Sequence, residues 1–444
     1  EAAFRMIIES GLLPEGAVQF VSGRLGPLLD MLGPQDAVSF TGSAVTGVML
    51  RGTPNLLERS VRFSAEQDSL NATILGPDVM VGDPEFDLFI KEAAGEITAK
   101  AGQKCTAVRR ILVPEALRQP VAEALRAALD DVAIGDPRLK EVGMGALASG
   151  GQKQDVLAKC EMFKGEARCI IGGEAPRLTG EDLAGGAFVA PTIFDCADPD
   201  GATHLHEQEA FGPVACLMAY RKLGHAAVLA NRGGGALVTS VVTRDREVVH
   251  SLVAASACHH GRLYFNNRDS MAEATGHGAP LPHMVHGGPG RAGGSEELGG
   301  VRAVKHYMQR TALQGPPDLL SAAGETWLVG SATHQGPTHP FRRRFGDLAL
   351  GETLVTPPRR ISANDIAHFA SFTGDEFYAH TDSVAAAANP FFPGIVAHGY
   401  LLLSFAAGMF VEPAPGPVLA NTGLNALSFE KPVVPGTQIT VSLT

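Results

Sequence analysis

Between Ala17 and Thr243, short apolar runs of strand length alternate with segments whose apolar residues recur at helical spacing. Two strands separated by a helix need a crossover, so this alternation predicts a parallel sheet with helices packed on its faces. The runs AVQFVSG (17–23) and AVSFTG (37–42) read as strands around a helical PLLDML (27–32). Asp83-Pro84 opens a helix that runs to Lys100, because the N–H that proline lacks is not needed in a first turn. RRILVP (109–114) follows as a strand, then a helix to about Leu129 that Pro120 starts or kinks, then strands at 212–220 and 237–243. Ala2–Ser10 reads as a helix that stops at Gly11.

Between about 311 and 340 this order gives way to TALQGPPDLL and GSATHQGPTHP, a linker composition. Beyond it, NDIAHFASFTG (364–374) is a helix leading into a loop. Gly399–Phe410 is a second apolar helix, and 425–430 and 437–443 are strand-like. Four hundred and forty-four residues, 45% hydrophobic and 19% charged, suit a globular chain of about three compact units. Thirty-six Lys+Arg against 47 Asp+Glu leave a net charge of −11 and no basic-aromatic stripe, which argues against RNA or an anionic membrane surface as partner. None of the six cysteines forms a CxxC pair, so reduced thiols in a cytoplasmic enzyme are expected. No basic-then-apolar leader opens the chain, and the apolar stretch around Leu401–Val411 is too short to span a bilayer. A helix already running at Ala2 and a strand that stops at Thr444 indicate the interior of a longer protein.

Cys105 stands in Gly102-Gln103-Lys104-Cys105-Thr106-Ala107, between a helix and a strand. A thiol on a glycine-containing loop beside Lys104, with two arginines shortly after, is placed to ionise and to be reached. The other five cysteines have no such setting. Thirty-nine residues earlier, Glu66 follows the strand-like VRFS and can act as a general base. In Phe40-Thr41-Gly42-Ser43-Ala44-Val45-Thr46-Gly47 a strand meets a helix whose N-terminal N–H groups can face a phosphate. Glu207-Gln208-Glu209-Ala210-Phe211-Gly212-Pro213 offers a carboxylate for ribose hydroxyls and a phenyl ring to flank a flat heterocycle.

These four pieces, in this order, resemble the aldehyde dehydrogenase superfamily over roughly residues 1–310. The resemblance implies that Cys105 attacks an aldehyde and that a nicotinamide dinucleotide accepts hydride. Glu66 then activates water to release an acid. Thr41, Gly42, Ser43 and Gly47 would border the cofactor, with Ser43 on the pyrophosphate, Glu209 on the nicotinamide ribose and Phe211 beside the ring. Members that release an acyl-CoA generally lack the glutamate, so Glu66 points to acid formation. Two departures stand out. Glu66 is followed by Gln-Asp-Ser-Leu rather than Leu-Gly-Gly-Lys, and its gap to the cysteine is several residues longer than usual. The family's first cofactor strands precede residue 1, and with them the residues that separate NAD from NADP.

The tail carries Phe372-Thr373-Gly374-Asp375-Glu376-Phe377-Tyr378-Ala379-His380. A carboxylate and an imidazole five apart on one loop can hold a water and deliver it to a double bond. Gly394-Ile395-Val396-Ala397-His398-Gly399 then enters an apolar helix, and Phe429-Glu430-Lys431-Pro432-Val433-Val434-Pro435-Gly436 leads to a strand. This set resembles the MaoC-like, R-specific enoyl-CoA hydratases over about 340–444, which implies a hotdog fold, a curved antiparallel sheet around a central helix. It further implies Asp375 and His380 as the acid/base pair and the Gly399 N–H, next to His398, as polariser of a thioester carbonyl. Phe377-Tyr378 replace the usual Asn-Pro of that signature, which points to a bulkier, cyclic acyl group.

The expected organisation is α/β with a hotdog at its end. Residues 1–65 form the remainder of a dinucleotide-binding domain, 66–310 a catalytic and oligomerisation region, 311–340 a linker and 341–444 the hotdog. An aldehyde dehydrogenase followed by a MaoC-like domain resembles the PaaZ-like family of bifunctional ring-cleavage enzymes in phenylacetate catabolism. That resemblance implies oxepin-CoA as substrate, opened to a semialdehyde in the hotdog and oxidised at Cys105 with NADP, or with NAD, in a homo-oligomer. Arg342, Arg343 and Arg344, with Arg359 and Arg360, are the candidates for a basic groove that receives the CoA phosphates. The alternatives are a scaffold that has lost activity, and a dehydrogenase for another aldehyde fused to a linear enoyl-CoA hydratase. His204/His206, His259/His260 and His277/His283/His286 share no ligand spacing with a thiol or carboxylate, and neither reaction needs a metal, so no metal is expected. The His283–Pro289 loop reads instead as a substrate-channel or oligomer contact.

Overall fold

The computed structural model describes the whole chain except Arg24, Pro282, Ser295 and Gly299, and the side chains of all described residues except 285, 296–298, 300 and 303. The chain divides into two compact units, Glu1–Gln309 and Arg310–Thr444.

The first unit is built on a seven-stranded sheet. Its order is His260–Asn266, Ala236–Val242, Ala72–Leu75, Arg110–Pro114, Val214–Tyr220, Thr192–Cys196 and Arg168–Ile171. Every neighbouring pair is parallel except the last, in which Arg168–Ile171 runs antiparallel to Thr192–Cys196. Parallel strands need helical crossovers, which cover both faces and make strand sequences continuously apolar. The period of two is visible in the packing. Ile74, Leu112, Cys216, Met218 and Val241 enter one core, where the helices Gly150–Phe163, Leu223–Asn231 and Arg246–Ser256 pack. Leu75, Ile111, Val113, Leu217 and Val242 enter the other, against Pro84–Thr98 and Arg118–Asp130.

A separate parallel pair, Ala37–Thr41 with Arg62–Glu66, sets Thr41 opposite Glu66. The helix Ala44–Arg51 follows directly, with Ser43 as its N-cap. Residues 17–23, expected as a strand, are exposed and outside any strand. A strand exists only through a pairing edge, and no described strand offers one there. PLLDML becomes a short 3₁₀ turn, Leu28–Met31.

In the second unit, residues 311–340 are not the bare linker that their composition suggests. Pro317–Gly324 is helical, and His334–Gln335 pairs with Glu352–Thr353. Short antiparallel pairs join Leu354–Val355 to Ser442–Leu443 and Arg359–Arg360 to Gln438–Ile439. The core is small: Ile361, Ile366, Ala397 and Leu401, packed by Phe369, Phe405 and Val433. The helix Gly399–Phe410 forms as its sequence predicts, while 425–430 is not a strand. Among the described residues no helix is long and apolar enough to cross a membrane.

Candidate active site

The thiol loop is produced by a broken helix end. Pro84–Thr98 gives way to a 3₁₀ turn, Ala99–Gly102, in which Lys100, Ala101 and Gly102 all have positive φ (52°, 53° and 68°). Left-handed backbone reverses the chain without a further helical turn. At Gly102 no side chain fits, because a Cβ would collide with the Gly212 carbonyl. Buried Asn71 then pins the loop, donating from Nδ2 to the carbonyls of Cys105 (2.8 Å) and Ala107 (3.0 Å). Arg109, only 4% exposed, ties the loop to the EAFGP segment: it donates to Gly102 O (2.9 Å), Gly212 O (2.8 Å) and Glu209 Oε1 (3.0 Å).

Cys105 shares a cavity of about 430 Å³ with Glu66, Thr41, Gly42, Ser43, Glu209 and Phe211. Seven residues chosen from four separate stretches of sequence are thus brought together; Gly47, also chosen, does not line it. Gly47 is instead buried on the inner face of its helix, where a Cβ would meet the Gln67 amide. Glu66 is the last residue of its strand and 5% exposed. The Gly42 N–H donates to its carbonyl (3.1 Å), which joins the FTGS turn to the base.

Several expected electrostatic roles differ. Lys104 does not lean on the thiol: its Nζ donates to both oxygens of Glu96 at 2.8 Å. Of the two arginines, Arg110 is wholly buried and bonded to the Leu70, Leu229 and Ala230 carbonyls, a structural post. Glu209 reaches the cavity with both oxygens engaged, Oε1 by Arg109 and Oε2 by the Ser69 N–H (3.0 Å). Burial raises its pKa, against the pull of Arg109 and Ser69. Ser43 Oγ accepts from the Thr46 N–H (3.2 Å), and Asp68 Oδ1 takes the Ala44 N–H (3.1 Å), so two N–H groups expected to face a phosphate have partners. Among the other cysteines, Cys160 is buried and pushed up to about 11, an unreactive thiol.

Gln67, Asp68, Gln152, Asp155 and Lys159 also line the cavity and escaped the sequence reading. Gln152 lines the wall from the start of Gly150–Phe163 and donates to Phe211 O (3.3 Å). Asp68 stands beside Ser43. His286, read from sequence only as part of a substrate-channel or oligomer-contact loop, is the most consequential: the strand Val285–Gly287 brings its Nε2 to 3.9 Å from Cys105 Sγ and 3.4 Å from Glu66 Oε2. Its contact with Cys105 spans 181 residues, so no local signal marks it.

In the second unit, the helix Ala363–Thr373 starts on a Ser362/Asp365 capping box and ends on Gly374 at φ 77°. A left-handed glycine just past a helix turns the chain sharply, and the next residue is Asp375. The short helix Tyr378–Thr381 carries His380 back beside it. The Asp375 carboxylate, His380 and His398 have ligand atoms within 4.8 Å of one another. His380 Nδ1 donates to Val396 O (2.7 Å), which leaves Nε2 as a proton acceptor. The two imidazoles stack at 3.7 Å, and buried His398 donates from Nε2 to Asp375 O (2.9 Å), positioning the loop. Gly399 opens the central helix with the Phe429 ring against it, so a Cβ there would meet that ring. The basic groove is weaker than expected. Arg342 pairs with Glu412 (3.0 Å) and Arg343 with Glu352, while Arg344 is exposed.

Comparison with known proteins decides the family. The aldehyde dehydrogenase family model matches residues 2–312, and the MaoC-like domain model matches 347–444. The chain belongs to the aldehyde dehydrogenase family. Behind that domain it carries a MaoC-like domain. It is 48% identical over 303 residues to "Protein MaoC" of Klebsiella aerogenes, covering 68% of this chain and 88% of that one. It is 41% identical over 284 residues to a 3,4-dehydroadipyl-CoA semialdehyde dehydrogenase of Aromatoleum evansii, covering 64% of this chain and 55% of that one. The aldehyde dehydrogenase domain has the fold of Staphylococcus aureus betaine aldehyde dehydrogenase, solved with NAD⁺: TM-score 0.59, 23% identity, 69% of this chain and 58% of that one. Apart from the Klebsiella protein, the chain spans little more than half the length of these relatives. Aldehyde dehydrogenases use NAD(P), and Thr41, Gly42, Gln152 and Phe211 line the cavity that Cys105 shares.

Proposed function

We propose that this chain carries both sites of a ring-opening enzyme. The MaoC-like site adds water to oxepin-CoA, and the aldehyde dehydrogenase site oxidises the resulting 3-oxo-5,6-dehydrosuberyl-CoA semialdehyde to its acid. The observation that carries the reading is the convergence of Cys105 and Glu66 in one cavity beside the FTGS turn. A second site with a carboxylate and an imidazole lies on the same chain. The Aromatoleum relative, named for a CoA-linked semialdehyde, supports the substrate class.

In the MaoC-like site Asp375 and His380 hold a water between them. His380 Nε2 takes its proton as the oxygen adds to the enol-ether carbon, and Asp375 orients the water. Protonation of the ring carbon and collapse of the hemiacetal open the ring to an aldehyde. In the dehydrogenase site the Cys105 thiolate adds to the aldehyde carbon. Thr41, Gly42, Ser43 and Phe211 would hold NADP, which would supply the acceptor for the hydride lost from the Cys105 thiohemiacetal as it becomes a thioester. Glu66 then takes a proton from water as its oxygen attacks the thioester, and Cys105 leaves as the thiolate. Glu209 meets the ribose by exchanging the Ser69 N–H for a hydroxyl. The protein works in the cytoplasm as a homo-oligomer, and Arg344 and Arg360 give the CoA phosphates a cationic edge.

Two substitutions test the division of labour. Cys105→Ala removes NADP reduction while ring opening continues and aldehyde accumulates; Asp375→Asn does the reverse. Loss of both activities from either change, with the fold intact by circular dichroism, contradicts the assignment. Turnover of crotonyl-CoA as fast as that of oxepin-CoA contradicts the cyclic substrate.

A further inference from the structure

Cys105 Sγ, His286 Nε2 and a Glu66 carboxylate oxygen lie within 4.8 Å of one another, with Sγ···Nε2 at 3.9 Å and Nε2···Oε2 at 3.4 Å. A tetrahedral zinc ion holds thiolate sulfur at about 2.3 Å and imidazole nitrogen or carboxylate oxygen at about 2.0 Å, which sets S···N near 3.5 Å and N···O near 3.3 Å. Those two separations need movement of only a few tenths of an ångström, and the sulfur–carboxylate pair, within 4.8 Å, closes by no more than about 1.3 Å. One soft, one borderline and one hard donor select zinc-class ions over magnesium or calcium, which take oxygen alone. The donors are also held in place. Asn71 fixes the Cys105 carbonyl, Glu66 ends a paired strand, and the Gln67 N–H after it donates to Ala292 O (3.1 Å), close behind the His286 strand. Cys105 and Glu66 line an open cavity, which leaves a fourth position for water.

We propose that Cys105, His286 and Glu66 form a reversible inhibitory site for a zinc-class divalent cation in the dehydrogenase cavity. Binding makes one bond each to sulfur, nitrogen and oxygen and releases the thiol proton to solvent, with no change of oxidation state. The cation thereby occupies the group that attacks the aldehyde and the group that activates water, so oxidation stops while ring opening goes on. That consequence rests on the dehydrogenase reading above; the binding itself does not.

Cobalt(II), a spectroscopic stand-in for zinc, tests the binding on the whole chain with thiols reduced and oxygen excluded. A thiolate-to-cobalt charge-transfer band in the near ultraviolet is expected, saturating at one sulfur-bound ion per chain and bleached by zinc. The Asp375–His380–His398 group holds no sulfur and cannot give that band. The band is absent in Cys105→Ala, and titrates at least about tenfold more weakly in His286→Ala. In Cys258→Ser, which changes an exposed thiol, it is unaltered. In the unsubstituted protein, saturating zinc slows alkylation of Cys105 by iodoacetamide at least tenfold, and a chelator restores it. No sulfur band, a band that survives Cys105→Ala, or unchanged alkylation under zinc each overturns the proposal. A band in a protein that oxidises no aldehyde would overturn the dehydrogenase reading and leave the site standing.

Discussion

At the scale of single residues, charge around the thiol is arranged differently from what adjacency in the chain suggests. Lys104 is next to Cys105 in sequence, yet its ammonium is bound to Glu96, whose side chain is 12% exposed. Lys104→Met should therefore cost stability, about 1–3 kcal/mol from a carboxylate left unpaired, and change kcat/KM for the aldehyde by less than about tenfold. Thermal unfolding and steady-state kinetics on the same sample separate the two effects, and a larger kinetic loss without a lower Tm would restore Lys104 to the thiol. The sequence makes Cys105, Glu66, Asp375 and His380 legible because each lies in a local motif of turn residues around a reactive group. The place of His286 at the thiol is illegible for the opposite reason: Cys105 and Glu66 are far from it in sequence, and its contact with Cys105 spans 181 residues. Glu209 was legible as a cavity carboxylate, but its bond to Arg109 depends on two segments 100 residues apart.

At the scale of elements, Pro84–Thr98 links the core to the thiol. Its inner face, Phe86, Phe89, Ile90, Ala93 and Ile97, is fixed in one apolar core, and its end delivers the Gly102 elbow. Gly102→Ala is expected to cost at least about 2 kcal/mol, because φ is positive and the Gly212 carbonyl cannot move away. A drop in Tm together with altered Cys105 alkylation would be the mark of a displaced loop, and an unchanged Tm would contradict it. At the helix's other end Glu85 is fully buried and donated to by Arg268 at 2.6 and 2.8 Å, which holds its carboxyl down to about 2 from an ordinary 4.5. A depressed folded pKa stabilises above the ordinary value and is lost as pH falls towards the folded one. The pair thus contributes at most about 3 kcal/mol above pH 4.5, and Glu85→Gln flattens the stability curve between pH 4.5 and 2. A slope unchanged in that variant would assign the acid sensitivity elsewhere. Helices and core strands were legible because period and burial coincide. Residues 17–23 and 425–430 were not, because an apolar run becomes a strand only where a neighbouring edge exists. The same limit explains the expected linker, whose Pro-rich composition conceals a helix that proline starts.

At the scale of the whole molecule, two units with independent cores carry two clusters of reactive groups, and under the proposed function the product of one is the substrate of the other. Joining two sites on one chain raises the effective concentration of a reactive intermediate at the second. Core truncation tests the independence of the units. Leu112→Ala, in the central strand of the first, should cost about 2–5 kcal/mol there, and should leave hydration at Asp375–His380 unchanged at temperatures where the first unit begins to melt. The central claim, ring opening followed by oxidation on one protein, is tested most directly on the full-length protein with oxepin-CoA and NADP, following reduced-nicotinamide absorbance and the mass of the CoA product together. The account predicts one NADPH per molecule of oxepin-CoA consumed, with the ring-opened acid as product. Substrate consumed without NADPH, or no reaction at all, would contradict it.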